Sequence, residues 1–478
     1  MTLVLVEAGI VFSFVTLGLY LRFPDHFNSI FFEQRGIYKF ALPMGVSQII
    51  FYLFDLYDVA KPRLRRELLT DLFQAVGVVL MVLGAIFFLR PTLLLGYLQE
   101  TEGSLLVRYG NGVPVIALIS ALILMTFWRL GIHWVMRNPM LGDRLLIVGT
   151  DRLAVEVAHE AMLRRDLGYK VAGYISEDSR LVGTNIISQG NSPDFGQTSF
   201  SREVLGAVDD LNRIVETEKI DRVVVALQDR RGHMPVDQLL KIRLQGQAAI
   251  EEGTALYEKL TGKISVEMLR PSWIIFSGGG KRSTVWGIIR RLFNLLMAAI
   301  GVVLSLPLAA FAAIAIKLDS PGPIFYTQER VGKNGRTFKI IKFRSMRQDA
   351  EKGGVAQWAT ERDPRITRIG NFLRKTRIDE IPQFINILRG DMSFVGPRAE
   401  RPVFVEQLSD QIPFFAQRHL VEPGLTGWAQ VNYGYGASVE DSMQKLQYDL
   451  YYIKNVSLLF DIWIMFKTIK VVMFGYGR

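Results

Sequence analysis

The run LFNLLMAAIGVVLSLPLAAFAAIAI occupies residues 292–316 and contains no charged side chain in 25 positions. As a helix it would reach about 37 Å, enough to cross the hydrocarbon core of a bilayer with some tilt. Cations flank both ends, with Arg290 and Arg291 before the run and Lys317 after it. A simple span should show a charge difference between its ends, because they face different compartments.

The centre of this run is Ser305-Leu306-Pro307. Proline removes one helical N–H group and its ring clashes with the preceding turn, so the helix is predicted to break there. Ser305 is placed to donate to a carbonyl that Pro307 leaves free. Two structures stay open: a re-entrant helix that returns to the same face of the membrane, and an ordinary kinked span.

Three strings follow the run: SPGPIFYTQERVGKNGRTFKIIKFRSM (320–346), RDPRITRIGNFLRKTRIDEIPQFINILRGDMSFVGPRAERP (362–402) and EPGLTGWAQV (422–431). Residues 317–401 hold 18 Lys and Arg against 10 Asp and Glu, a surplus of 8 within a formal net charge of +10 for the whole chain. This excess predicts an anionic partner, either nucleic acid, lipid headgroups or a phosphorylated substrate. Nucleic acid is disfavoured, because the cations adjoin a membrane segment.

Asp379 and Glu380 are adjacent, and Ile381-Pro382 with the apolar-periodic QFINIL follows them, which places the two acids at the start of a helix. In the simplest interpretation, these acids have no other role than to cap the helix. Their surroundings favour chemistry, since arginine forks bind phosphate oxygens and one or two carboxylates can hold Mg²⁺ against a pyrophosphate. A carboxylate can also attack phosphorus. The neighbouring cations are Arg374, Lys375, Arg377, Arg398 and Arg401.

The rest of the composition narrows the chemistry. The chain has no cysteine, which excludes disulfides, thiolate zinc sites and cysteine nucleophiles. Its five histidines are scattered without ligand spacing, so a histidine metal site is disfavoured. The C-terminal SLLFDIWIMFKTIKVVMFGYGR (457–478) is apolar but contains Asp461, Lys467 and Lys470. It is predicted to be an amphipathic helix in the lipid headgroup region, with a core helix as the alternative.

Upstream, four apolar stretches predict four transmembrane helices within residues 1–137, namely 3–21, 37–54, 72–98 and 113–135. The basic KPRLRRE at 61–67 and the acidic QETEGS at 99–104 place both ends of this region in the cytoplasm. The N-terminus is apolar from Leu3 and is interpreted as a membrane span and not as a removable signal peptide.

Residues 140–270 alternate strand and helix patterns, from RLLIVGTD (144–151) to IDRVVVAL (220–227), which predicts a Rossmann-like parallel α/β module. In its first turn, Asp151 stands where a second glycine would let the backbone approach a pyrophosphate. A structural or regulatory role is therefore favoured over nucleotide binding. The polar ISQGNSPDFGQTSFS (187–201) is predicted to be a surface loop.

Residues 285–478, with the three strings in this order, resemble the bacterial polyprenyl-phosphate hexose-1-phosphate transferases, which belong to the monotopic phosphoglycosyl transferase superfamily. The regions upstream resemble the larger branch of that family, and LRPSWIIFSGG (269–279) resembles its exosortase-associated exopolysaccharide subgroup. The resemblance implies a membrane α plus α/β protein: four transmembrane helices in 1–137, a Rossmann-like domain in 140–270, and a mainly α catalytic domain in 271–478 with a re-entrant helix at 292–316.

The same resemblance implies transfer of a hexose-1-phosphate from a UDP-sugar to undecaprenyl phosphate with Mg²⁺, on the cytoplasmic face of a bacterial inner membrane. Asp379 would be the nucleophile, and Glu380 would assist it through the metal or through proton transfer. The product would serve downstream glycosyltransferases, and a homodimer is compatible with this family. The side chains expected to contact phosphate are Lys342, Arg374, Arg398 and Arg401.

Two alternatives stay open. A membrane-anchored nucleotide-sugar dehydratase or epimerase would need an intact glycine turn and a Tyr-x-x-x-Lys pair, but the only such spacing, Tyr57 to Lys61, lies in the membrane region. A non-catalytic scaffold of polysaccharide assembly would have little reason to retain Asp379 and Glu380. No residue selects the sugar or the nucleotide base.

Overall fold

A computed structural model divides the chain into two compact units, Met1–Gly253 and Thr254–Arg478. Parts of the first, third and fourth predicted membrane stretches lie outside the described residues. So do QETEGS (99–104), residues 61–64 of KPRLRRE, and LRPSWIIFSGG from residue 270 onward. The predicted domain boundaries stay predictions. The structure describes residues 6–20 and 36–56 with small gaps, 65–89, 123–128, 131, and 142–474 except 165–166, 193–195, 228–233, 270–283, 348–362, 435 and 437.

Two apolar helices near the N-terminus, α1 (Gly36–Leu53) and α2 (Arg65–Leu89), pack against each other through a small apolar core. Their continuous apolar parts are shorter, Ala41–Leu53 and Thr70–Ile86. Among the described residues, one helix is long and apolar enough to cross a membrane, and it is Val285–Asp319. The prediction of four N-terminal membrane helices is not supported there, since a span needs about 20 apolar residues.

A six-stranded sheet forms the rest of the first unit. Its order is β3-β4-β2-β1-β5-β6, and all neighbours pair in parallel except β3 and β4. This confirms the predicted parallel α/β sheet. The strands are β1 (Arg144–Val148), β2 (Lys170–Ser176), β3 (Asn185–Ser192), β4 (Gly196–Ala207), β5 (Arg222–Val225) and β6 (Ala249–Glu252), and the helices are α3 (Arg152–Leu163), α4 (Leu211–Thr217) and α5 (Val236–Leu244).

The turn after β1 has a structural reason for its glycine. Gly149 has a φ of +119°, and a Cβ built there would lie 2.7 Å from the carbonyl oxygen of Ala226. A residue with a side chain would be strained and crowded at this position. The close approach of this turn to Ala226, which directly follows β5, thus accounts for Gly149.

The predicted surface loop at 187–201 is wrong. β3 and β4 pair antiparallel through this stretch, with Ile187 opposite Ser201 and Asn191 opposite Gln197. β3 is an edge strand of the sheet. A polar composition is compatible with such a strand, because one face of an antiparallel pair can be exposed to water. The backbone of β3 still pairs with β4 along one edge.

The second unit is mainly helical and contains two small sheets. β7 and β8 form an antiparallel hairpin, and β9 and β10 form a short parallel pair. Its elements are α6 (Gly253–Thr261, which begins at the unit boundary), α7 (Thr284–Asp319), β7 (Phe325–Val331), β8 (Thr337–Phe343), α8 (Arg368–Lys375), a 3₁₀ turn at Ile378–Glu380, α9 (Gln383–Arg389), β9 (Ser393–Val395), α10 (Pro402–Gln411), a 3₁₀ helix at Phe415–Leu420, β10 (Gly424–Thr426), α11 (Trp428–Asn432), α12 (Val439–Asn455) and α13 (Leu458–Phe474).

The long helix α7 contains Pro307 without interruption, so the predicted break at Ser305 and Pro307 is not a gap in the helix. Ser305 Oγ donates to the carbonyl of Val302 at 3.1 Å, one residue before the carbonyl that would have accepted from residue 307. A single lost N–H group can be tolerated inside a long helix when neighbouring turns adjust. The predicted donor role of Ser305 therefore applies to the preceding turn.

One face of α7 packs against its own unit along most of its length. Near the start, Arg290 donates to the carbonyl of Val395 at 2.9 Å. In the middle, a Cβ built on Gly301 would lie 2.9 Å from the ring of Phe384. Near the end, Ile316 is buried in a cluster with Phe343 and Leu373. The opposite face exposes large apolar side chains, among them Leu292, Leu296, Val303, Leu304, Phe311 and Ile314.

The C-terminal helix α13 combines the two predicted alternatives. Ile464 and Asp461 are buried in the unit, whereas Leu459 is 81% exposed and Phe466 and Ile469 are about half exposed. Lys467 lies over the ring of Trp463, with its Nζ 4.6 Å from the ring centroid. The helix therefore has a core face and an exposed apolar face, and Asp461 belongs to the core face.

Candidate active site

The two adjacent acids lie in the 3₁₀ turn Ile378–Glu380, immediately before α9. Pro382 is the N-cap of α9 and no side chain caps the helix there, so the helix start is confirmed and the acids do not serve as that cap. Arg377 opens the turn with a φ of 58°, in the left-handed region. For a non-glycine residue this backbone conformation costs about 1 kcal/mol or more, so the surrounding fold must hold it.

β8 brings the first cation to the acids. Lys342 Nζ lies 2.9 Å from Glu380 Oε1 and forms a partly buried ion pair. Asn386 of α9 holds the same strand, because its Oδ1 accepts from the Ile341 N–H at 3.0 Å and its Nδ2 donates to the Lys339 carbonyl at 2.8 Å. The 320–346 string and the 362–402 string are thereby joined at the site.

The β9–β10 pair positions the Gly-Pro-Arg turn. The Gly396 N–H donates to the Thr426 carbonyl, and the Gly424 N–H donates to the Pro397 carbonyl, both at 2.9 Å. These bonds connect the third string, EPGLTGWAQV, to the turn that carries Arg398. Arg398 Nη1 then lies 3.9 Å from Glu380 Oε1, at the limit of an ion pair. All three strings therefore contribute to one site.

α8 carries Arg374 and is docked closely on the segment after β8. Thr367 caps α8 by accepting from the Gly370 N–H at 3.0 Å. A Cβ on Gly370 would collide with the carbonyl of Ser345. The absence of a side chain at this position thus allows α8, which carries Arg374, to approach the segment after β8.

Gly370→Ala is expected to push α8 away from Ser345. We expect a loss of about 1–3 kcal/mol in the free energy of unfolding and at least about a tenfold fall in turnover, because Arg374 would be displaced. Thermal unfolding and product release of the variant measure the two effects. The matched control is Gly287→Ala, at a helical glycine with nothing within 4 Å of the added Cβ. Equal behaviour of the two variants would contradict the docking role of Gly370.

The two acids differ in their electrostatic state. Burial, followed by the neighbouring Glu380, raises the pKa of the Asp379 carboxyl, although Lys342 and Arg374 oppose the change. Burial alone would raise the pKa of Glu380, but Lys342, Arg398 and Arg377 hold it below its usual range. Asp379 is 7% exposed, and its Oδ1 has no hydrogen-bond partner among the described residues. Glu380 is therefore the paired acid, and Asp379 is the one with an available oxygen.

The two carboxylates suit a magnesium ion that takes only a few of its ligands from the protein. Within the part of the chain that the structure describes, no group of three or more acidic or histidine side chains converges as a metal cage. Mg²⁺ is often held by one or two carboxylates and completed by phosphate oxygens and water. Asp379, with its unpartnered Oδ1, and the adjacent Glu380 fit that pattern.

The structure brings most predicted phosphate-binding residues together. Lys342 and Arg398 lie beside Glu380, and Arg374 acts electrostatically on Asp379. The guanidinium of Arg401 lies 5.8 Å from the ring centroid of Phe404 at the start of α10, and its phosphate contact stays a prediction.

Sequence reasoning missed the residues that support the site. Arg291 donates to the Ile387 and Leu388 carbonyls, both at 2.7 Å, and so caps the end of α9. Arg418 Nη2 donates to the Arg398 carbonyl at 3.2 Å and lies 2.8 Å from Asp449 Oδ2. Asp449, an acid within the apolar pattern of a helix, was the available signal, because such a charge usually has a buried partner.

The part of the chain that contains the site is similar to a known protein family. Residues 285–475 match the family described as bacterial sugar transferase. A UDP-N-acetylgalactosamine-undecaprenyl-phosphate N-acetylgalactosaminephosphotransferase of Aeromonas hydrophila is 47% identical over 220 residues, which is 46% of this chain and 51% of that protein. The match therefore spans about half the length of that relative.

Two longer matches extend upstream of the site. The UDP-glucose:undecaprenyl-phosphate glucose-1-phosphate transferase of Escherichia coli (strain K12) is 42% identical over 351 residues, 71% of this chain and 70% of that protein. The undecaprenyl-phosphate glucose phosphotransferase of Komagataeibacter xylinus is 32% identical over 425 residues, 83% of this chain and 77% of that protein. The similarity therefore extends well beyond the catalytic strings.

Proposed function

Because this chain belongs to the bacterial sugar transferase family, we propose that it transfers a hexose-1-phosphate from a UDP-sugar to undecaprenyl phosphate, giving UMP and undecaprenyl-diphosphate-sugar. The family predicted from the three strings is confirmed. The observation that carries the proposal is the buried Asp379, with an unpartnered carboxylate oxygen beside Glu380 and several cations. Relatives named as undecaprenyl-phosphate sugar-phosphate transferases support it.

The chemistry runs in two displacements at the sugar-bearing phosphorus. Asp379 Oδ1 forms a bond to phosphorus, and the bond from phosphorus to the UMP oxygen breaks, with UMP taking the electron pair. An oxygen of undecaprenyl phosphate then attacks the same phosphorus, and the Asp379 carboxylate leaves. Lys342, Arg374 and Arg398 stabilise the negative charge that develops on the phosphate groups.

The state of the acid pair suits this division of work. Burial and the adjacent Glu380 make Asp379 a more basic carboxylate than usual, which increases its tendency to form a bond to phosphorus. Glu380, whose pKa is held low, keeps Lys342 in place through the 2.9 Å ion pair. Asp379 and Glu380 would also hold Mg²⁺, which when bound would neutralise charge on the departing UMP.

The membrane placement is part of the proposal. The exposed apolar faces of α7 and α13 would lie in lipid. Although α7 continues through Pro307, both of its ends pack on one unit, so we place both ends on the same side of the membrane, as in a re-entrant helix. We place the protein in the bacterial inner membrane as a multi-pass protein with its catalytic unit on the cytoplasmic face, where UDP-sugars are available. Its product would be the acceptor for downstream glycosyltransferases. A homodimer is also compatible with this proposal.

The test incubates the purified full chain with Mg²⁺, undecaprenyl phosphate and UDP-glucose, UDP-galactose and their N-acetyl forms. The panel spans glucose and N-acetylgalactosamine because the named relatives divide between them. We expect release of UMP with at least one donor, and a large loss of release after chelation by EDTA. Release of UDP would show simple glycosyl transfer and would contradict the proposal, and full activity in EDTA would contradict the magnesium site.

A further inference from the structure

Gln383 is the first residue of α9 and lies midway between two residues that bind strand β8. Glu380 precedes it by three residues and binds Lys342 of β8, whereas Asn386 follows it by three residues and binds the backbone of β8. Residues three apart share one face of a helix. Gln383, the first residue of α9, is therefore expected on the same side as these two residues, the side that is directed to β8.

The amide of Gln383 is buried and unsatisfied. The residue is 3% exposed, and its Nε2 has no hydrogen-bond partner among the described residues. Asn386, 0% exposed on the same face, bonds through both its Oδ1 and its Nδ2. Burial on this face therefore does not prevent pairing, and an unpaired buried donor in a native fold has to be explained by strain, by a bound water or ion, or by a catalytic role.

A hydrogen-bond acceptor close to Gln383 in the sequence also lacks a partner among the described residues. Asp379 Oδ1, four residues before Gln383, is buried and also has no partner among the residues that the structure describes. The two groups do not satisfy each other, although one is an acceptor and the other a donor. A phosphoryl group bound to Asp379 Oδ1 would bring acceptor oxygens to a carboxylate that lies four residues from Gln383 along the chain.

We propose that Gln383 Nε2 is a catalytic hydrogen-bond donor to a non-bridging oxygen of the sugar-bearing phosphoryl group while that group is bonded to Asp379. The role rests on the proposed function and deepens it. The amide donates a hydrogen bond in both displacements and transfers no proton, so the balance of bonds at phosphorus is unchanged. A donor held by burial needs little reorganisation when charge develops on the phosphate.

Gln383→Met tests this role, because methionine has a similar length and no donor. We expect the rate of UMP release in a single turnover to fall about 100-fold, with the loss in kcat and not in KM. The apparent Tm should stay equal or rise, since an unpaired buried donor is replaced by an apolar group. Gln383→Glu should be at least as slow, because a second carboxylate would repel the phosphoryl oxygens.

Asn432→Leu is the matched control, at a partly buried amide of α11 whose Nδ2 donates to the Trp428 carbonyl at 2.8 Å and whose Oδ1 accepts from Lys467 at 3.3 Å. It should lower the Tm, and the activity of the protein that remains folded should change by less than tenfold. A Gln383→Met variant with a rate within threefold of the wild type would overturn the proposed role. A Tm loss equal to that of Asn432→Leu, with activity falling only with the folded fraction, would show that Gln383 is structural. Wild-type protein that releases no UMP would overturn the proposed function together with this role.

Discussion

Asp379→Asn is expected to abolish sugar-1-phosphate transfer, with UMP release falling by at least about three orders of magnitude. The asparagine side chain has nearly the same shape as aspartate but is a poor nucleophile. Because Asp379 Oδ1 has no partner among the described residues, the substitution breaks no known hydrogen bond at that atom. The measurement is UMP release with the preferred UDP-sugar, together with the intact mass of the protein, where the wild type should show a phosphosugar adduct and the variant should not.

Stability separates this effect from misfolding. Burial raises the pKa of Asp379, so a neutral amide at this position should leave the apparent Tm equal or higher. Asp410→Asn, at an exposed aspartate on α10, is the control for the same chemical change and should retain full activity. Full UMP release by Asp379→Asn would exclude a covalent intermediate on this carboxylate.

Arg290→Met is expected to cause the largest loss of stability, about 3–5 kcal/mol in the free energy of unfolding. The guanidinium binds Asp461 Oδ2 at 3.0 Å, the Val395 carbonyl at 2.9 Å and the Tyr452 hydroxyl at 2.8 Å. Asp461 is 3% exposed, so it would be left as a buried charge without its main counter-ion. Thermal and urea unfolding of the detergent-solubilised protein measure the loss.

A double variant identifies the cause of that loss. Asp461→Leu combined with Arg290→Met removes both charges and should recover a substantial part of the lost stability, since replacing a buried ion pair by apolar groups is often close to neutral. Arg389→Met, at an exposed arginine, should change the unfolding free energy by no more than about 0.5 kcal/mol. If the double variant is less stable than Arg290→Met, the buried charge is not the source of the effect.

Much of the candidate site was predictable because its central signals are local. Asp379, Glu380 and Pro382 are contiguous, and the proline marks the helix start that the structure confirms. The cations Arg374 and Arg377 lie within five residues of Asp379 along the chain. Their proximity follows from covalent distance, whatever the rest of the fold. The family resemblance predicts Lys342, and both the local charge pattern and the resemblance predict Arg398. The structure places both beside Glu380.

Two predictions from the sequence are wrong, the loop at 187–201 and the helix break at Pro307, because each rests on a local preference alone. The stretch 187–201 was assigned to a loop from its polar composition, but a polar strand is stable when its backbone pairs at the edge of a sheet. Pro307 was expected to interrupt α7, yet the helix continues through it. The partner of the polar strand is β4, and the face of α7 that packs on its unit is set by the fold, so neither is visible in the local sequence.

The amino-acid sequence by itself determined the apolar helix, the parallel α/β sheet and a carboxylate pair among cations at a helix start, since length, periodicity and charge are properties of contiguous residues. Only the tertiary structure decided that Arg290 meets Asp461 across 171 positions, that Asn386 joins α9 to β8, and that the buried Nε2 of Gln383 has no hydrogen-bond partner among the described residues. These pairings depend on how distant elements pack, and packing is set by the shape of the whole unit and not by any one segment.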